Sequence, residues 1–141
     1  MSTEEKEVQV GEEKMTKVIL TKEAIFQASD IHFEEVPVPE WGGVARLRIL
    51  PGNEREDFEQ LCQHRQMGKG AAKKMDIHGM KVELLSRCLV DEENNRIFAE
   101  KDREDLKLLN KKNGKVLDDL FKKACEMNGI GPEAEAEIEK N

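Results

Sequence analysis

Cys62, His64 and His78 are the residues whose types most readily suggest chemistry, because thiolate and imidazole are the usual zinc ligands. No two pairs among them have the close double spacing of a structural zinc site. Asp91, Glu93 and Asn95 alternate, with Phe98 as a following hydrophobe and Asp102 at a closing position, which is the outline of a calcium loop. Arg96 stands where that loop needs glycine, and Asp102 replaces the bidentate glutamate, so the segment reads as a polar turn between helices. Gly68-Lys69-Gly70 lacks the four-residue spacer, the Gly-Lys-Ser/Thr ending and the preceding strand of a phosphate loop. Ser29 and Ser86 have no Gly-x-Ser-x-Gly context, and no histidine accompanies a cysteine in a catalytic arrangement. The residues therefore point away from an enzyme, with no catalytic group, no metal and no cofactor.

Composition bounds what remains. The 141 residues suit one domain, with 38% charged and 38% hydrophobic residues, five Phe, one Trp and no Tyr. So few aromatics predict a thin core of Leu, Ile, Val and Met. Cys62, Cys88 and Cys125 stand far apart on apolar helical stripes, as small core hydrophobes do. The formal net charge of −7 disfavours nonspecific binding to nucleic acid. A local exception is Arg65 to Lys81, with five positive residues and one Asp, but no aromatic residue interleaves it to stack on bases. No apolar run approaches a membrane span, and the N-terminus is acidic where a signal peptide would be basic. A reducing cytosol is the expected compartment.

The elements follow from periodicity. Residues 1–17 predict an unordered acidic tail, and residues 18–141 a single domain. Thr21 is a good N-cap for a short helix ending before Ser29. Residues 31–50 predict a β-hairpin: Ile31 and Phe33 alternate, then Val36 and Val38 in the opposite phase, as a bulge near Glu34-Glu35 would require. Trp41-Gly42-Gly43 makes its turn, and the returning strand sets Leu47 and Ile49 against Arg46 and Arg48. Pro37 and Pro39 remove donors from one edge only, leaving the other to pair. Helices are expected at 53–64, 77–90, 101–110, 115–128 and 132–140, the first opened by an Asn53/Glu56 capping box. Between the first two lies a mobile basic loop. The predicted class is α+β, mainly α: a small hairpin packed with a bundle of about four to five short helices.

A string of motifs in order resembles the tail assembly chaperones of long-tailed bacteriophages. Leu20-Thr21-Lys22-Glu23-Ala24-Ile25 looks like their opening helix. Glu35-Val36-Pro37-Val38-Pro39-Glu40-Trp41-Gly42-Gly43, followed by Arg46-Leu47-Arg48, is similar to their hairpin. Leu89 to Phe98 matches their central turn, and Asn128-Gly129-Ile130 their late helix break. The resemblance runs from about Leu20 to the end, and the charged stretch before Met15 looks additional, so that Met15 is an alternative start.

The resemblance implies a function. Such chaperones bind the aggregation-prone tape measure protein in the host cytoplasm until tail tube subunits polymerise around it, and are absent from the mature virion. It also implies a longer product, made by a −1 frameshift, that engages the tail tube protein. The Glu139-Lys140-Asn141 end is compatible with a slippery A-AAA-AAC heptamer. A client helix is expected to meet the face carrying Leu117, Leu120, Phe121 and Ala124, together with Trp41. That face is also what a core would use. Homo-oligomerisation stays open. The competing readings are a minor tail or connector subunit, to be found in purified virions, and a small nucleic-acid-binding regulator using the Arg65 to Lys81 stretch.

Overall fold

The computed structural model describes residues 6–10, 13–67, 74–75, 79–99 and 101–130. The chain forms two compact units, Met1–Asp30 and Ile31–Asn141. In the first, β1 (Lys6–Val10) and β2 (Glu13–Lys17) pair antiparallel with Val8 opposite Met15. An unordered tail was the expectation here. Alternating Val8 and Val10 suit a strand, and pairing satisfies backbone groups that a lone segment leaves to water. Helix α1 (Lys22–Gln27) follows, capped by Thr21, whose hydroxyl accepts from the Ala24 N–H at 3.2 Å. None of its residues is buried.

The second unit begins with β3 (Phe33–Val38), a 3-10 turn at Pro39–Trp41, and β4 (Gly43–Arg48). Then come α2 (Gly52–His64), the short strands β5 (Gln66–Met67) and β6 (Lys74–Met75), and α3 (Met80–Cys88). Strand β7 (Leu89–Val90), α4 (Arg103–Leu109) and α5 (Gly114–Asn128) complete it. The architecture is α+β and mainly helical, with five helices among the described residues and a three-stranded antiparallel sheet ordered β3-β4-β7. The expected basic loop is bounded by β5 and β6, which pair with each other. Gly68 to Lys73, His78, the 132–140 helix and the Lys140-Asn141 end lie outside the described residues.

Strand β3 shows no bulge. Its register runs unbroken from Phe33 opposite Arg48 to Val38 opposite Gly43. Phe33 needs no phase change because it lies on the far face, where the Arg46 guanidinium stacks 4.9 Å from its ring centre and also meets Glu35 at 3.6 Å. The Ile49 N–H donates to the His32 carbonyl at 3.0 Å, which sets the ladder's phase. Glu34, Val36 and Val38 therefore bond β4, while Phe33, Glu35 and Pro37 turn their backbone groups to the outer edge. Proline thus removes an outer-edge donor, as its spacing predicts.

Two local expectations fail. Helix α2 opens one residue early, after Pro51 and without a side-chain cap, so Asn53 and Glu56 form no capping box. Arg48 is buried, although strand alternation assigned it to the solvent face. Its Nε donates to the Arg87 carbonyl at 3.0 Å, and its other end meets Glu54 at 2.6 Å. The carbonyl belongs to the last turn of α3, where a cation matches the negative end of the helix.

Helix α3 is the centre of the unit. Every residue from Val82 to Cys88 is buried, polar Glu83, Ser86 and Arg87 included. Helix α5 packs against it through Val116, Leu117, Leu120, Phe121 and Ala124. Asn113 caps α5 through its side-chain oxygen, and Gly129 ends it at φ +64° with the Ile130 N–H returning to the Cys125 carbonyl. Buried Asn128 ties this end to the hairpin: its side chain accepts the Leu50 N–H at 2.7 Å and donates to the Ala124 carbonyl at 2.8 Å.

Phe121 is 0% exposed and Phe26 is 78% exposed. Phe121→Ala should lower unfolding free energy by about 3–5 kcal/mol in urea titration, while Phe26→Ala should stay within about 0.5 kcal/mol. Equal losses would refute this assignment of the core.

Candidate functional site

The hairpin turn determines where the single tryptophan stands. Pro39 pre-sets the first position of the 3-10 turn, and Gly42 closes it at φ +74°, a left-handed conformation that side chains resist. Trp41 is thereby held at the surface, 37% exposed, beside an apolar groove of about 310 Å³. Val38 and Ala45 of the hairpin, Leu89 of β7, Phe98 and Leu109 of α4 form its walls. Val44 and Ile97, 61% and 52% exposed, stand beside Trp41 along it. Lys112 is the one charged residue lining the groove, and it forms no ion pair among the described residues.

Two ionic clusters hold these walls. The turn after β7 is built on Asp91, whose carboxylate accepts the Glu93 and Asn95 N–H groups at 2.9 and 3.0 Å, with Asn94 at φ +68°. This is the polar turn expected of the segment. Arg96 then points inward, donating to the Ser86 carbonyl at 3.1 Å and meeting Glu54 at 3.4 Å, which fixes Ile97 and Phe98 beside the groove. The other cluster centres on Glu83, whose side chain is 2% exposed. It meets Arg87 at 3.2 Å and Arg65 at 3.6 Å, and it accepts a hydrogen bond from Arg103. Arg103 opens α4, so this contact seats the helix that supplies Leu109. Burial alone would push the Glu83 carboxyl up, but the Arg103 and Arg87 hydrogen bonds and charges outweigh it and hold the group below its ordinary value.

Of the five residues expected to contact a client, the structure separates one from four. Leu117, Leu120, Phe121 and Ala124 are buried against α3 and offer no surface. Trp41 lies on the groove. Val44, Ile97 and Phe98 were not among the expected client contacts. Their signal was weak: an apolar residue inside a strand and two more just after a polar turn. The cysteines are thiols, and burial pushes Cys88 up to about 12 and Cys62 up to about 11, which removes thiolate chemistry near neutral pH. No group of three or more His, Cys, Asp and Glu residues fit for a metal occurs among the described residues. No helix among them is long and apolar enough to cross a membrane.

A family model described as phage tail assembly chaperone matches residues 6–141. The chain belongs to that family. The match includes residues before Met15 and before Leu20, so the N-terminal stretch is part of the family pattern and not an addition to it. Among solved structures, the chain is similar to the tail assembly chaperone of bacteriophage HK97, with a TM-score of 0.52 and 20% identity over 77% of this chain and 94% of that one. At this identity the likeness speaks to the fold. No curated protein matches the sequence.

The Glu83 cluster carries a pH test. A carboxyl held low in the folded state stabilises above its unfolded pKa, about 4.3, and that stability is lost as pH falls through the lower folded value. Wild-type unfolding free energy should therefore fall as pH drops below about 5, and Glu83→Gln should flatten that limb while lowering stability at neutral pH. Parallel pH profiles of the two proteins in urea would contradict the assignment.

Proposed function

We propose that this chain binds the tape measure protein of a phage tail and keeps it in solution until tail tube subunits assemble around it. The observation that carries the reading is the Trp41 groove, an open apolar slot on a chain with a formal net charge of −7. A tape measure protein awaiting its tube exposes apolar surface that would otherwise self-associate. One groove of about 310 Å³ accepts one or two large side chains. Burying each contributes about 1.5–3 kcal/mol before ordering costs, so a single contact is weak and reversible. Reversibility suits a holder that must later release its client to the tube. Many weakly bound copies along one long client would bind by avidity. Their shared negative charge would keep the complexes apart. The reading places the complex in the host cytoplasm and the chaperone outside the mature virion. A longer frameshifted form would carry the link to the tail tube protein.

The test is co-expression with the tape measure protein encoded nearby. The wild-type chain should hold the client in the soluble fraction and co-purify with it. Ile97→Glu, which places a charge at an exposed position on the groove, should fold normally yet lose most of the co-purified client. Aggregation of the client regardless of the wild-type chain would overturn the function. Full retention by Ile97→Glu would move the contact elsewhere.

A further inference from the structure

Strand β4 is paired along its whole length on one side but only at Arg46 and Leu47 on the other. The ladder phase sends the backbone groups of Gly43, Ala45 and Leu47 towards β3, and those of Val44 and Arg46 towards the β7 side. Arg46 pairs with Val90. Residue 92 would face Val44 if β7 ran on, but β7 ends at Val90, and the Asn94 N–H closes a turn onto the Asp91 carbonyl at 3.0 Å. The Val44 N–H and C=O are left without a backbone partner among the described residues. This stretch of open edge, Gly43 to Ala45, lines the apolar groove beside Trp41.

We infer that the groove takes its client as an extended apolar segment that adds to the open end of β4, pairing with Val44 where β7 stops. This rests on the proposed client-holding function and specifies how the groove is filled. Val44 offers one donor and one acceptor in the geometry of a strand, and a client helix has bonded its own interior backbone groups and could satisfy neither. An antiparallel segment opposite Val44 exchanges both bonds with a single residue. That residue shares the outer face of Val44, and the residues on either side of it enter the slot walled by Ala45, Leu89 and Phe98, so backbone supplies affinity and alternate side chains supply selection. On the outer edge of β3, Pro37 removes one of three donors, and those of Phe33 and Glu35 remain.

Two synthetic peptides of identical composition serve as probes for the full-length chain. One has apolar residues at alternate positions, the other at helical spacing. Trp41, the single tryptophan of the chain, reports occupancy by its emission. Amide exchange by NMR reports pairing at Val44. The alternating peptide should shift Trp41 emission at lower concentration and slow Val44 exchange. N-methylation of its central amide should weaken binding about three- to tenfold, the net worth of one backbone hydrogen bond. Val44→Pro removes the edge donor without touching a ladder bond to β3, and should weaken the alternating peptide similarly. If that variant fails to fold, the N-methyl peptide still decides. A shift of Trp41 emission with unchanged Val44 exchange, or equal binding of the helical peptide, would overturn extended docking while leaving the client-holding function standing. No emission shift with either peptide, in a chain that nonetheless retains the tape measure protein, would remove the groove from the reading altogether.

Discussion

Helix α3 is buried on nearly every face, yet it carries Glu83, Ser86 and Arg87 into the interior. A charge withdrawn from water must be matched inside the protein or neutralised. The surrounding elements are arranged to match these. Arg65 from beyond the end of α2, Arg103 from the start of α4 and Arg87 from α3 itself converge on Glu83. At the other end, Arg48 and Arg96 donate to the Arg87 and Ser86 carbonyls and share Glu54. Buried ion pairs of this kind add little net stability, but losing one partner costs about 3–5 kcal/mol. They act here as positioning devices, since each brings a different element against the same helix.

The groove is a consequence of that arrangement. The chain leaves α3 at Leu89, gives β4 two paired residues, and is turned by Asp91 so that Arg96 can reach back to α3. A longer β7 would cover Val44 but would carry Arg96 away from the Ser86 carbonyl. The sheet is therefore short on this side, and its uncovered end faces Trp41, Ile97, Phe98 and Leu109. The unfinished edge leaves apolar walls and open backbone groups side by side. On the opposite edge of the sheet, Pro37 removes one donor.

Much of the scaffold was legible in the chain. Thr21 before α1 and Asn128-Gly129 after α5 act through local geometry, so residue type alone identifies them. The hairpin was legible because Pro37, Pro39 and Trp41-Gly42-Gly43 constrain backbone angles and donors irrespective of what packs around them. The Asp91 turn was legible for the same reason. Apolar residues at helical spacing marked the α5 face, but periodicity cannot separate a face that packs inward from one that waits for a client.

The tertiary structure decided the rest. Strand alternation placed Arg48 in solvent, and only the approach of the α3 terminus made its burial favourable. The apparent change of phase between Phe33 and Val36 suggested a bulge, and only the Arg46 guanidinium across the pair made a straight strand with Phe33 outward acceptable. Leu117, Leu120, Phe121 and Ala124 became core because α3 lies against them, while the turn closed by Gly42 held Trp41 at the surface and the end of β7 left the Val44 backbone open. By itself, the sequence determined the Thr21 cap, the hairpin and Asp91 turns, the α5 helix and the chaperone family, since those follow from local geometry and from motif order. Which apolar groups are left for a partner depends on which elements meet, and that is settled only when the whole chain has folded.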